Sequence, residues 1–166
     1  MKTRLVLSGF IISLFFLTQC SKEEEATGLD KQLFDEATAT TGFTYYINTP
    51  GITPSSSQSA HNAYMRVKFN GVAQSALDST GKLPVGSSFK NGSLIVKELY
   101  DSPSGSIALY AIMKKDSASA STGANWLWSE IRPDLNVAFS VSNKGSSCTG
   151  CHSMNSRDYS RIFDLF

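Results

Sequence analysis

The stretch Ser93-Leu-Ile-Val-Lys-Glu-Leu-Tyr-Asp-Ser-Pro-Ser-Gly-Ser-Ile-Ala-Leu-Tyr-Ala-Ile-Met-Lys-Lys115 decides the fold. Two runs within it, Ser93–Asp101 and Ser106–Lys114, are rich in β-branched and aromatic residues and read as strands. Pro103 and Gly105 punctuate the short connection between them, so the pair reads as an antiparallel hairpin. Side chains alternate across a strand, which puts Ile95, Lys97 and Leu99 on one face and Val96, Glu98 and Tyr100 on the other. A lysine between two aliphatic residues on one face has two readings. It is a solvated edge residue paired with a neighbouring acid, or it reaches along apolar surface toward a buried group.

Further strands are expected at Trp126–Arg132 and Val137–Ser142, each bounded by Gly, Pro, Asn, Asp or Ser. Upstream, Leu29, Leu33, Phe34 and Ala37 recur at helical spacing, predicting a short amphipathic helix over 29–40 that ends near Gly42. Residues 50–60 read as a loop, Ala63 to Phe69 as a strand or the start of a helix, and Asn70 to Asp78 as helical. The architecture expected is α+β: an antiparallel sheet of four or five strands, N-terminal helices packed on it, and a C-terminal helical turn. That turn falls in the last 25 or so residues, a functional module attached to the sheet.

Residues 1–19 read as an export segment. Lys2 and Arg4 precede a mostly apolar run from Leu5 to Leu17, shorter than the ~20 residues of a membrane span. The run closes on Leu17-Thr18-Gln19-Cys20, which resembles the lipobox of bacterial lipoproteins, with Gln19 where a small residue is usual. The resemblance implies lipidation of Cys20 and anchoring at a bacterial membrane, the outer one, facing the periplasm or the cell surface. Residues 20–28 then read as a tether and 29–166 as one domain. The Lys22-Glu23-Glu24-Glu25 tract is a solvated tether segment by composition, and also resembles a surface-export signal of Bacteroidota lipoproteins. Cleavage would remove two cations and no acid, turning a formal charge of +1 into −1. With no basic excess there is nothing to displace counterions from phosphates, so nucleic acid is not an expected partner.

Near the C-terminus, Cys148-Thr-Gly-Cys-His152 is a Cys-x-x-Cys-His motif, the signature of c-type haem attachment. Two thiols one helical turn apart suit thioether bonds to one haem, and the adjacent His152 suits the proximal iron position. The motif would arise by chance in about six of ten thousand chains of this composition. Three other readings compete. They are a thioredoxin-like redox pair, a zinc site completed by His61, and a plain disulfide in an oxidising compartment. If haem is bound, Met65, Met113, Met154 and His61 are the candidates for the opposite side of the iron. Met154 lies too close to His152 in sequence, Met65 and Met113 sit in core-like contexts, and His61 beside a serine-rich loop reads as a surface or structural residue.

Lys82-Leu83-Pro84, Asn91-Gly-Ser-Leu-Ile-Val-Lys-Glu-Leu99, Asn125-Trp126 and the Cys148–His152 motif occur in an order that resembles the cytochrome P-460 family. Arg157-Asp158-Tyr159 and Ile162-Phe163 follow as in the family's closing segment, and the resemblance spans residues 61–166. It implies a mainly antiparallel sheet with helices, a homodimer, and haem c with a histidine on one face and an open distal face. It also implies chemistry on, or binding of, a small nitrogen compound such as hydroxylamine or nitric oxide, with a redox partner protein. In catalytic members a lysine of the Val-Lys-Glu-Leu strand is cross-linked to the haem; that position is Lys97 here. Two features depart from the pattern. Val85 to Lys90 lengthens a usually compact link, and Ala111 stands where active members carry an acid. Glu98 and Glu130 are the acids that could replace it as a proton acceptor, although both read as solvated strand residues. The other class of function compatible with these residues is a six-coordinate electron-transfer cytochrome without a substrate. Trp126 and Trp128 share a sheet face, as core or as pocket lining. Arg157 and Arg161, at a helical interval, are candidates to neutralise haem propionates.

Overall fold

The computed structural model describes residues 24–56, 59–154 and 156–163, so the export segment and Cys20 lie outside the described residues. The α+β expectation holds: one antiparallel sheet carries the fold. Its strands are β1 (Phe43–Tyr45), β2 (Thr53–Pro54), β3 (Tyr64–Asn70), β4 (Leu94–Tyr100), β5 (Ile107–Lys115), β6 (Trp126–Ile131) and β7 (Val137–Phe139). The sheet therefore has seven strands where four or five are expected. The two extra ones, β1 and β2, are too short to show alternation in sequence. Both pair with the same edge of β3, and the order continues β3-β4-β5-β6-β7 through antiparallel neighbours.

The sheet separates two cores. Leu94, Val96, Ile112, Leu127 and Ile131 face helix α1 (Gly28–Thr38), which buries Leu33 and Ala37 against them. Asp30 on α1 is buried and accepts hydrogen bonds from Ser129 Oγ at 2.6 Å, Ser140 Oγ at 2.6 Å and the Val141 amide at 2.9 Å. One carboxylate thus ties the helix to β6 and to the segment after β7. That segment leaves the sheet at Phe139, earlier than the strand expected over 137–142, and makes a single 3-10 turn at Val141–Asn143. The helix expected over 70–78 shrinks to α2 (Gly71–Gln74), with Asn70 Oδ1 capping the Ala73 amide at 2.9 Å.

The opposite face of the sheet carries Met65, Val67, Phe69, Ile95, Leu99, Met113, Trp126 and Trp128, and the C-terminal segment covers part of it. Phe163 is fully buried there, stacked on Phe69 with ring centroids 6.0 Å apart. Part of the stretch read as a tether, from Glu24 on, pairs with the fold. Glu24 O accepts from the Val137 amide at 2.9 Å, Glu25 bridges Asn136, and Ala26 is buried with its amide on Leu135 O at 2.8 Å. The folded unit thus takes in residues from Glu24 onward, not from Leu29.

Candidate functional site

The Cys-x-x-Cys-His residues sit on one helical turn, α3 (Thr149–His152). The His152 amide bonds to Cys148 O at 2.9 Å, closing the turn and putting both thiols on one short ramp. The approach to this turn is set by close packing. Trp128 donates its indole N–H to Gly123 O at 2.8 Å, and its ring lies against Gly145 so tightly that a Cβ there would come within 2.4 Å of it. Gly145 also has a φ of +65°, which favours glycine. Trp128 then meets the His152 ring edge-to-face at 4.9 Å between centroids.

Between α3 and the sheet lies a cavity of about 350 Å³, within the range of small-molecule sites. Lys97, Ala111 and Glu130 form one cross-strand row on its wall, in register across β4, β5 and β6. Ala111 in the middle is small and leaves the two longer side chains facing the same space. His61, Met113, Trp128 and Arg161 complete much of the lining, together with Cys148, Cys151 and His152. Ser59 Oγ accepts from Lys97 Nζ at 3.2 Å and from the His61 amide at 3.2 Å, fastening the loop before β3 to the lysine.

Burial sets the protonation states. His152 is lowered to about 4 by desolvation, opposed by its hydrogen bond to a backbone carbonyl, so its imidazole is neutral near pH 7. The partner is Tyr159 O, 2.8 Å from Nδ1, so Nδ1 carries the proton and Nε2 keeps its lone pair. Cys148 is raised to about 11, mainly by burial. That is the reverse of a thioredoxin-like site, which needs a depressed thiol. Lys97 is lowered to about 8 by burial, against the opposing attraction of Glu130.

Several expectations change with these positions. β4 is an interior strand, so Lys97 is not an edge lysine; it faces the cavity. Glu98 does lie on the face opposite Lys97, but it is buried and not solvated. Arg66, its cross-strand partner, holds it at 2.6 Å, and Lys68 at 3.0 Å. Glu130 is likewise not a solvated strand acid: it lines the cavity and pairs with His61, Nδ1 to Oε1 3.3 Å. His61 is therefore a cavity residue and not a surface one, a role that its local sequence hides. Met65 packs in the core outside the cavity, Met113 lines it, and Met154 is 53% exposed. Trp126 is core, packed on Phe89, while its same-face neighbour Trp128 lines the pocket.

The helical interval of Arg157 and Arg161 dissolves. Asp158 and Tyr159 have φ of +48° and +66°, so the chain turns left-handed between the two arginines. Arg157 donates to Leu83 O at 2.7 Å, and Arg161 alone lines the cavity. Among the described residues, Arg161 Nε is buried without a hydrogen-bond partner. An orphaned guanidinium N–H beside two free thiols and a neutral imidazole fits an anionic, covalently held macrocycle such as haem c. Among the described residues no three His, Cys, Asp or Glu side chains converge as a metal cage.

Two comparisons bear on this arrangement. A family model described as Cytochrome P460 matches residues 44–163, most of the chain and all of the cavity lining. No curated protein matches the chain.

Proposed function

This chain belongs to the cytochrome P460 family and its cofactor is haem c; from that premise we propose an exported, lipid-anchored cytochrome that binds, or does redox chemistry on, a small nitrogen compound such as hydroxylamine or nitric oxide. The observation that carries the reading is the convergence of the Cys-x-x-Cys-His turn, Lys97 and Glu130 on one cavity. Cys148 and Cys151 would hold the cofactor by thioethers, and His152 would bind its iron through Nε2. Haem c bound there supplies a one-electron redox centre and a second iron face for a small ligand.

The remaining residues shape the rest of the site. Tyr159 O fixes the His152 ring and its tautomer, as metal-bound histidines require. Arg161 offers its unpaired Nε to a propionate. Glu130 supplies a carboxylate on the wall next to Ala111, restoring a proton acceptor to a site whose usual acid position holds none. Lys97, its amine lowered to about 8, is more readily deprotonated than a surface lysine, which suits a nucleophile aimed at the macrocycle edge. Lipidation at Cys20 and export rest on the lipobox-like segment and agree with haem c maturation outside the cytoplasm.

The test is spectroscopic. Matured in a host that attaches haem c, the wild type should give a pyridine haemochrome of the c type, and Cys148→Ala/Cys151→Ala should lose covalent haem. A red-shifted ferrous Soret band that returns to the ordinary position in Lys97→Ala would establish the cross-link; identical spectra would eliminate it. A second reading, electron transfer without a substrate, is favoured by one observation: His61 stands across the cavity from His152, their ring centroids 6.4 Å apart.

A further inference from the structure

His61 and His152 come from distant parts of the chain, a loop before β3 and a turn near the C-terminus, yet their rings share one cavity. Their ring planes are inclined by 74°. Two imidazoles sharing one first-row metal through bonds of about 2 Å hold their centroids roughly 6 Å apart. The observed separation of 6.4 Å matches that spacing, and two ligands on a common axis are free to take any mutual inclination.

The second observation is what each ring does with its other nitrogen. Metal-bound histidines nearly always donate Nδ1–H to a carboxylate or a backbone carbonyl, which fixes the tautomer and leaves Nε2 for the metal. His152 meets that description through Tyr159 O at 2.8 Å. His61 does so more loosely, its Nδ1 standing in ion-pair contact with Glu130 Oε1 at 3.3 Å, which turns that nitrogen toward a carboxylate. Met113, the other cavity-facing candidate, is a strand residue embedded among Ile95, Trp128 and their neighbours, where a thioether is ordinary core filler.

We infer that His61 is the second axial ligand of the resting haem iron, opposite His152, and that Glu130 is its positioning residue. The inference rests on the haem c reading above and deepens it. With haem bound, His61 would occupy the iron face opposite His152, and a small guest would have to compete with it for that face. Ser59 helps hold the loop: its Oγ is shared by the His61 amide and Lys97 Nζ, so the ligand-bearing loop is moored to the cavity wall.

The experiment uses the full chain matured with haem c, with equal haem loading checked by pyridine haemochrome. Wild type should show low-spin ferric and ferrous spectra and bind carbon monoxide slowly. His61→Ala should turn high-spin and bind carbon monoxide at once. His61→Met should restore a low-spin iron with a raised reduction potential, a rescue that a purely structural role would not produce. Glu130→Gln should stay low-spin while carbon monoxide competes about 10–100-fold better. A high-spin wild type whose carbon monoxide binding is unchanged in His61→Ala overturns the inference. So does a low-spin spectrum that survives His61→Ala. Absence of haem c from the wild type would overturn the parent reading as well, and is distinguished by the haemochrome assay.

Discussion

Gly145 has room for a hydrogen atom and for nothing larger. An alanine Cβ there would lie 2.6 Å from the Trp128 indole nitrogen, on a backbone already in the left-handed region. Neither the ring, anchored by its bond to Gly123 O, nor the backbone can give way cheaply. Gly145→Ala should cost about 2–4 kcal/mol of stability in urea unfolding and lower the yield of attached haem. Lys97 makes a different prediction at the same scale. Its folded value of about 8 lies below the ordinary 10.5 because burial disfavours the charged amine. Below about pH 8 both states hold the proton and the cost of burying it is constant. Between about 8 and 10.5 the unfolded chain holds a proton that the folded chain has shed, so stability rises with pH. In haem-free protein, Lys97→Met should be more stable than wild type at pH 7 by up to roughly 3 kcal/mol, and the gain should fade above pH 10. Urea titrations at the two pH values would show it.

Elements bring together what single residues cannot announce. Asp158 is the clearest case: its carboxylate accepts from Lys115 Nζ on β5 at 2.7 Å and from the Phe89 amide at 2.8 Å. It holds the left-handed turn whose next residue, Tyr159, anchors His152. Asp158→Asn keeps a residue that tolerates positive φ but strands the Lys115 charge in a buried setting. The expected loss is about 3 kcal/mol, partly recovered when Lys115→Met is added, a double-mutant cycle readable by thermal unfolding. Such contacts explain what the sequence disclosed and what it hid. That Lys97 shares a face with Ile95 and Leu99 was legible, because strand alternation is a local rule; that this face is buried and not a solvated edge is left open by it. The Cys-x-x-Cys-His turn was legible for the same reason. The meeting of His61 with Glu130 was not, since it joins a serine-rich loop to a strand 69 residues later. Half of it was available: alternation along β6 puts Glu130 on the face of Trp126 and Trp128. Glu98 misled in the opposite direction, because only strand register reveals that Arg66 stands across from it. β1 and β2, of three and two residues, offer no pattern to read.

At the scale of the whole molecule, the sheet divides labour between its faces. α1 and its apolar partners stabilise one face, which frees the other to hold a largely apolar cavity bearing a few polar side chains. The N-terminal end of the fold bears on where that cavity works. Cys20→Ser should move the protein from the membrane fraction to the soluble one with the haem c spectrum unchanged; persistence in the membrane fraction would argue against the lipid. If Cys20 carries a lipid, three residues separate it from Glu24, which pairs beside β7. Three residues span at most about 10 Å. A lipid there would confine the domain to a thin layer at the membrane surface, with β7 toward the anchor. Electron exchange would then be a two-dimensional encounter, favouring partners in the same membrane by effective concentration and leaving partners on a facing membrane to a diffusible shuttle.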